Sequence, residues 1–134
     1  MPLPPKDLFL RSLDRCQKNK GFIESFYQRF LNSSEEVAEK FRYTDFERQH
    51  RMLVHSLEVA AHAVSGDHDA LHMLHEQAEL HSRENMDIRP GLYPLWLEAI
   101  ISTGAEYDPM WDETVEDAWQ TVLGHITHHM ASKY

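Results

Sequence analysis

The sequence predicts an all-α protein of about seven helices, and three observations support this fold class. Apolar residues recur at helical spacing along most of the 134-residue chain. Serine, aspartate, glycine and proline stand between the periodic segments, where helices begin and end. No stretch alternates apolar and polar residues as a half-buried strand does. The length suits one domain, so we expect residues 1–134 to form a single unit of packed helices.

The first two helices follow a lead-in, residues 1–6, which contains three prolines and is expected to be extended. A first helix of modest apolar content should end near Gly21. The second helix has a broad apolar face of six residues: Phe22, Ile23, Phe26, Tyr27, Phe30 and Leu31. Such a face must lie against a core or a large ligand.

A short helix and a long one come next. Ser33 and Glu36 form an S-x-x-E capping pattern that predicts the start of the short helix. The long helix carries one stripe at helical spacing, apolar except for its first residue, formed by Gln49, Leu53, Leu57, Ala60 and Val64. His55 and His62 fall on the opposite side and should be solvated.

The fifth helix should begin at Asp67, a suitable N-cap. Leu71, Leu74, Ala78 and His81 follow at steps of three, four and three, so an imidazole ends an apolar stripe. A neutral histidine in that position could hold a metal in an apolar cavity. The histidine alone is also explained as a helix-terminal residue favoured by the helix dipole.

The last two helices lie beyond Pro90. Pro94 should delay or kink the sixth helix, and Gly104 should end it. Asp108 and Pro109 supply an N-cap and a first-turn proline for the final helix. That helix has four turns of apolar spacing, formed by Val115, Ala118, Trp119, Val122, Leu123, Ile126 and Met130.

The charge and cysteine content exclude several classes of function. The net charge is −9, and residues 52–134 contain three Lys/Arg against fourteen Asp/Glu, so a nucleic-acid partner is disfavoured. Cys16 is the single cysteine, which is consistent with a reducing compartment. No apolar run is long enough for a bilayer, and no leader pattern precedes the first helix, so we expect a cytoplasmic protein without a membrane partner.

Ten histidines also allow metal sites of other kinds. Glu47 and His50 have the Glu-x-x-His spacing of a di-iron carboxylate bundle, but one motif is insufficient where two are needed. His-x-x-x-Glu occurs twice on the fifth helix, at His72–Glu76 and His75–Glu79, as in a haemerythrin-like site. A cluster near the end of the chain could bind zinc adventitiously: His125, His128 and His129.

The order of several motifs is more specific. The chain contains Phe26-Tyr27 and Phe30, Val37 and Phe41, Gln49 with Leu53 four residues later, His81, Tyr93-Pro94, and Ala118-Trp119. From about Phe22 to Met130 this pattern resembles the bacterial single-domain globins and the globin part of flavohaemoglobins. The resemblance implies a globin-like three-on-three helical sandwich that binds haem b.

The resemblance also implies a role for particular residues. His81 would be the proximal ligand of the haem iron, and Tyr27 and Gln49 would donate hydrogen bonds to a gas ligand on the other face. The remaining haem contacts would be Phe41, Leu53, Leu74, Leu80, Ile88, Tyr93 and Trp96. Two other histidines stay open, His75 as the proximal ligand and His50 as a sixth ligand.

The chain departs from those relatives at three points. Gln77 stands four residues before His81, where globins usually have an aliphatic residue, and the link from His81 to Tyr93 is about two residues longer. The segment after Trp119 lacks the glutamate that flavohaemoglobins place near the proximal histidine. The cations that could meet the haem propionates are Arg48, Arg51, Arg83 and Arg89.

The expected function is therefore reversible binding of O₂, CO or NO at a pentacoordinate haem iron, in oxygen handling or gas sensing. The sequence contains no flavin or nicotinamide domain, so nitric oxide dioxygenase or peroxidase chemistry would need an external reductase. We expect a monomer or homodimer. The alternative is a haem-free globin-like regulatory module that acts through protein contacts.

Overall fold

The computed structural model describes residues 3–134, and these residues form seven α-helices, one 3₁₀ turn and no strand. The α-helices are α1 (Pro5–Gln17), α2 (Gly21–Asn32), α3 (Glu35–Lys40), α4 (Phe46–Val64), α5 (His68–Leu80), α6 (Tyr93–Tyr107) and α7 (Glu113–Ser132), with the 3₁₀ turn at Pro90–Leu92. None of these helices, within the described residues, combines the length and apolar content that a bilayer crossing needs.

The helices pack in two layers of three. α1 and α5 both contact α4 in one layer, and α2 and α7 both contact α6 in the other. The layers meet chiefly where α1 and α4 cross α7. This arrangement confirms the all-α, three-on-three fold.

The N-terminal lead-in is shorter than expected. Met1 and Pro2 lie outside the described residues, and Pro4 is extended, but Pro5 already begins α1. A proline suits the first helical position because its fixed φ is helical and its missing N–H would have no partner there. Residues 5 and 6 are therefore helical, and the prediction of an extended segment was wrong for them.

Side-chain caps set the start of four helices. Asp45 and Asp67 accept from the backbone N–H three residues later, as the sequence indicated for Asp67. Ser34 caps α3 by accepting from Glu36 N and Val37 N, one residue later than the Ser33 pattern predicted. Asp112, rather than Asp108, caps α7.

Gly104 does not end α6, which continues to Tyr107. A Cβ at this glycine would lie 2.9 Å from ring atoms of both Trp111 and Trp119, so only glycine lets the two indoles pack against the helix. Pro94 stands in the first turn of α6, consistent with the delayed start that the sequence predicted.

Asp108 does not cap α7, because its carboxylate is the centre of a buried polar network. It accepts from Ser12 Oγ at 2.5 Å and from Arg15 Nε at 2.6 Å, and Ser12 Oγ in turn accepts from Trp119 Nε1 at 2.9 Å. Burial alone would raise the pKa of Asp108, but the hydrogen bonds from Arg15, Ser12 and the backbone N–H of Met110 hold it below its ordinary value. The network ties α1 to the start of the α6–α7 link and to α7.

Asp108→Asn should lower the free energy of unfolding by about 2–4 kcal/mol at pH 7, because Arg15 and Ser12 lose their anionic acceptor. A carboxylate with a lowered folded-state pKa stabilises the fold above its unfolded pKa of about 4, and this contribution disappears as the pH falls further. The difference in unfolding free energy between variant and wild type, measured with urea, should therefore begin to shrink below about pH 4 and close once the pH has fallen through the lowered pKa of the folded state.

The matched control is Asp14→Asn, which removes a carboxylate from the exposed pair with Lys18. An exposed ion pair contributes little to stability, so the free energy of unfolding of this variant should stay close to that of wild type at pH 7 and at acid pH. If Asp108→Asn behaved like Asp14→Asn at pH 7, the network would not be a source of stability.

Candidate functional site

The two layers enclose a largely apolar cavity of about 470 Å³, within the range of about 300–1,000 Å³ typical of small-molecule sites. Every residue that the resemblance implied as an iron ligand, a distal residue or a haem contact lines this cavity: Tyr27, Phe41, Gln49, Leu53, Leu74, Leu80, His81, Ile88, Tyr93 and Trp96. Side chains from α2, α4, α5 and α6 therefore converge on one space, although they are far apart in the chain, and α7 adds Leu123 and Ile126.

His81 is the C-cap of α5, and its half-buried ring lies at the cavity wall. Nδ1 is 2.7 Å from the backbone oxygen of Gln77, one turn earlier, and we assign the proton to Nδ1 on that basis. In this tautomer Nε2 keeps its lone pair. Burial lowers the pKa of His81, so the ring is neutral at pH 7 and can ligate a metal.

The link after His81 folds back on the end of α5. Met86 N–H donates to Leu80 O and Ile88 N–H to His81 O, both at 3.0 Å. Asp87, between them, has φ +53°, a left-handed conformation that aspartate tolerates better than most residues. The longer link is thus a compact turn that brings Ile88 to the cavity.

The opposite wall contains the two proposed distal residues. Tyr27 is buried, and its hydroxyl lies 3.5 Å from the backbone oxygen of Gln49, at the limit of a hydrogen bond. Burial raises the pKa of Tyr27 to about 12, so the phenol remains a neutral donor. Leu53, one turn beyond Gln49 on α4, is buried beside them.

The alternative histidine ligands do not line the cavity. The His50 ring stacks on Tyr27 with 5.1 Å between centroids, and His75 is an exposed residue whose Nε2 lies 3.5 Å from Glu79. His72 and Glu76 form a second exposed pair. Across residues 3–134, no three His, Cys, Asp or Glu side chains converge as a protein-bound metal ion would require. His81 is therefore the histidine that faces the cavity.

Several polar residues of the cavity wall were missed by the sequence reasoning: Lys40, Thr44 and Ser56. Lys40 Nζ donates to Met86 O at 3.2 Å, so it spans from α3 to the α5–α6 link at the cavity mouth. Its position directly before Phe41 was the one available signal. None of the four arginines proposed as propionate partners is part of the lining.

Large apolar side chains are also exposed at the mouth of the cavity. Met52, Leu80 and Met86 line it and are 50%, 57% and 54% exposed, among the most exposed large apolar side chains of the described chain. Leu80 is thus a rim residue rather than part of the interior. Leu71, which the sequence placed in the apolar stripe of α5, is 40% exposed and does not reach the cavity.

Tyr93 leaves one polar atom without a partner in the described part of the chain. Its hydroxyl is buried and forms no hydrogen bond, and burial raises its pKa to about 12. A buried hydroxyl without a partner costs free energy, and such an atom is often satisfied by a ligand or water. α7 has no acidic residue after Asp117 that could accept from it.

Comparison with known proteins agrees with this architecture. A solved structure from Pseudomonas aeruginosa PAO1, described as structurally highly homologous to a human haemoglobin, is 34% identical and superposes with a TM-score of 0.93. The match covers 98% of each chain. Comparison with curated protein sequences gave no match. The globin family model matches residues 24–130, and the chain belongs to the globin family.

Proposed function

We propose that this globin binds haem b in the cavity, with His81 as the proximal iron ligand, and that it binds a diatomic gas on the opposite face. The observation that carries the proposal is the His81 ring, which is held through Nδ1 by the Gln77 carbonyl at the wall of a largely apolar cavity of about 470 Å³. Haem b bound there would supply an iron able to take O₂, CO or NO reversibly.

The lining residues suit this cofactor. Large apolar side chains such as Leu53, Leu74 and Trp96 can contact a flat porphyrin on both faces, and Phe41 lies beside them. Lys40 at the mouth can meet a propionate. The unpartnered hydroxyl of Tyr93 is a further polar group that a ligand in the cavity could satisfy.

The distal wall suits a gas ligand. Tyr27 and Gln49 are neutral donors, and a donor near the vacant iron position slows loss of a ligand that carries partial negative charge. Because the Tyr27 hydroxyl lies 3.5 Å from the backbone oxygen of Gln49, at the limit of a hydrogen bond, it loses little when it turns to a ligand.

The proposed role is gas binding in the cytoplasm, with an external reductase to keep the iron ferrous. Nitric oxide dioxygenase or peroxidase turnover would depend on that partner. We propose neither a nucleic acid nor a membrane as a partner, and we expect the protein to be a monomer or homodimer. A haem-free regulatory module is the second candidate function. The cavity between the layers favours the first candidate, the haem-binding globin.

His81→Ala should abolish stoichiometric haem retention, because no other histidine lines the cavity among the described residues. The measurement is the Soret absorption of the full chain supplied with haem, after gel filtration. Wild type should elute with one haem per chain and the variant with less than a tenth of that amount.

His75→Ala is the matched control, since this histidine lies on the same helix but on the exposed side. It should retain haem as wild type does. Loss of haem in His75→Ala with retention in His81→Ala would assign the proximal ligand to His75 instead of His81. A wild-type protein that takes up no haem would support the haem-free alternative instead.

Tyr27→Phe should speed O₂ dissociation from the ferrous protein by about tenfold, which is the effect of losing one hydrogen bond to a partly charged acceptor. The measurement is O₂ displacement by CO in a stopped-flow spectrometer. Tyr43→Phe, at a 90% exposed tyrosine, is the control and should leave the rate unchanged. Equal rates for all three proteins would mean that the Tyr27 hydroxyl does not reach the ligand.

A further inference from the structure

Gln77, one of the points at which the chain departs from the globins it resembles, forms a hydrogen bond across the cavity wall. Its side-chain Nε2 donates to Ser56 Oγ at 3.1 Å, from α5 to the facing α4. Both residues are half-buried and line the cavity. We call this contact the Ser56–Gln77 bridge.

The bridge joins the two stripes of residues that face the cavity. On α4, Ser56 lies three residues after Leu53 and seven after Gln49, so the three share one helix face. On α5, Gln77 precedes His81 by four residues, or about 6 Å along the axis. The bridge therefore connects the helix of the proposed distal wall to the helix of the proximal histidine, one turn from the imidazole.

Gln77 is bonded on two sides. Its backbone oxygen accepts from His81 Nδ1 at 2.7 Å, and its side chain donates to Ser56. An amide in a largely apolar lining costs free energy unless it is hydrogen-bonded, and a hydrogen bond is directional where apolar packing is not. An aliphatic residue could fill the same space, but it would not fix the rotation of α5 against α4.

We propose that Gln77 is a positioning residue, which sets through the Ser56–Gln77 bridge the direction in which His81 presents Nε2 to the metal. The inference rests on the proposed haem function. The bridge holds the last turn of α5 in one orientation relative to α4, and the Gln77 carbonyl passes that orientation to the imidazole ring.

The test is resonance Raman spectroscopy of the ferrous, haem-loaded full chain, which reports the iron–histidine stretching band. Gln77→Met keeps the length of the side chain and removes its amide, and Ser56→Ala removes the hydroxyl. Each variant should shift or broaden the band relative to wild type and speed haem dissociation by about fivefold, the effect of one neutral hydrogen bond. The double variant should match the single variants, because both remove the same bond.

Glu76→Met is the matched control, because it places the same side chain at the adjacent, exposed position of α5. It should give the wild-type band. An unchanged band in Gln77→Met, or shifts that add in the double variant, would overturn the inference while haem binding stands. Failure of the wild-type protein to bind haem would overturn the proposed function, and the positioning role with it.

Discussion

The site depends on one hydrogen bond, from His81 Nδ1 to the backbone oxygen of Gln77. That oxygen also accepts from the His81 backbone N–H at 3.1 Å, so both of its lone pairs are used. The direct partner of the ring is thus the last turn of its own helix, and the contact with α4 through Ser56 reaches it only by way of Gln77. Because this hydrogen bond is local, helical spacing alone could place His81 at the end of the stripe. The cavity around the ring was needed to show that it is a candidate metal ligand.

The rest of the fold keeps that helix end beside an open space. Asp67 starts α5, and the fold-back of Met86 and Ile88 ends it, so the helix is defined at both ends. Along α7, Trp119 belongs to the buried polar network, while Leu123, one turn later, lines the cavity. The same helix therefore anchors a tightly packed region and forms a wall of the region that is left open.

The sequence predicted the helices that local spacing determines. It failed at positions whose role depends on a contact with a residue distant in the chain. The apolar stripes of α2 and α7 predicted those helices, because their apolar side chains recur on one face with the period of an α-helix. Gly104 was misread as a helix end, because the indole rings that require a glycine there belong to residues further along the chain. Ser56 was missed for the same reason, since its partner Gln77 is 21 positions away on another helix.

Electrostatics explains why charge lies at the mouth of the cavity and not inside it. The polar groups within the cavity are neutral: His81 through its lowered pKa, and Tyr27 and Tyr93 through pKa values raised to about 12. An isolated charge in an apolar space would cost several kcal/mol, whereas Lys40 at the rim keeps contact with water. An anionic group of a ligand would therefore be favoured at the rim beside Lys40 over the interior of the cavity.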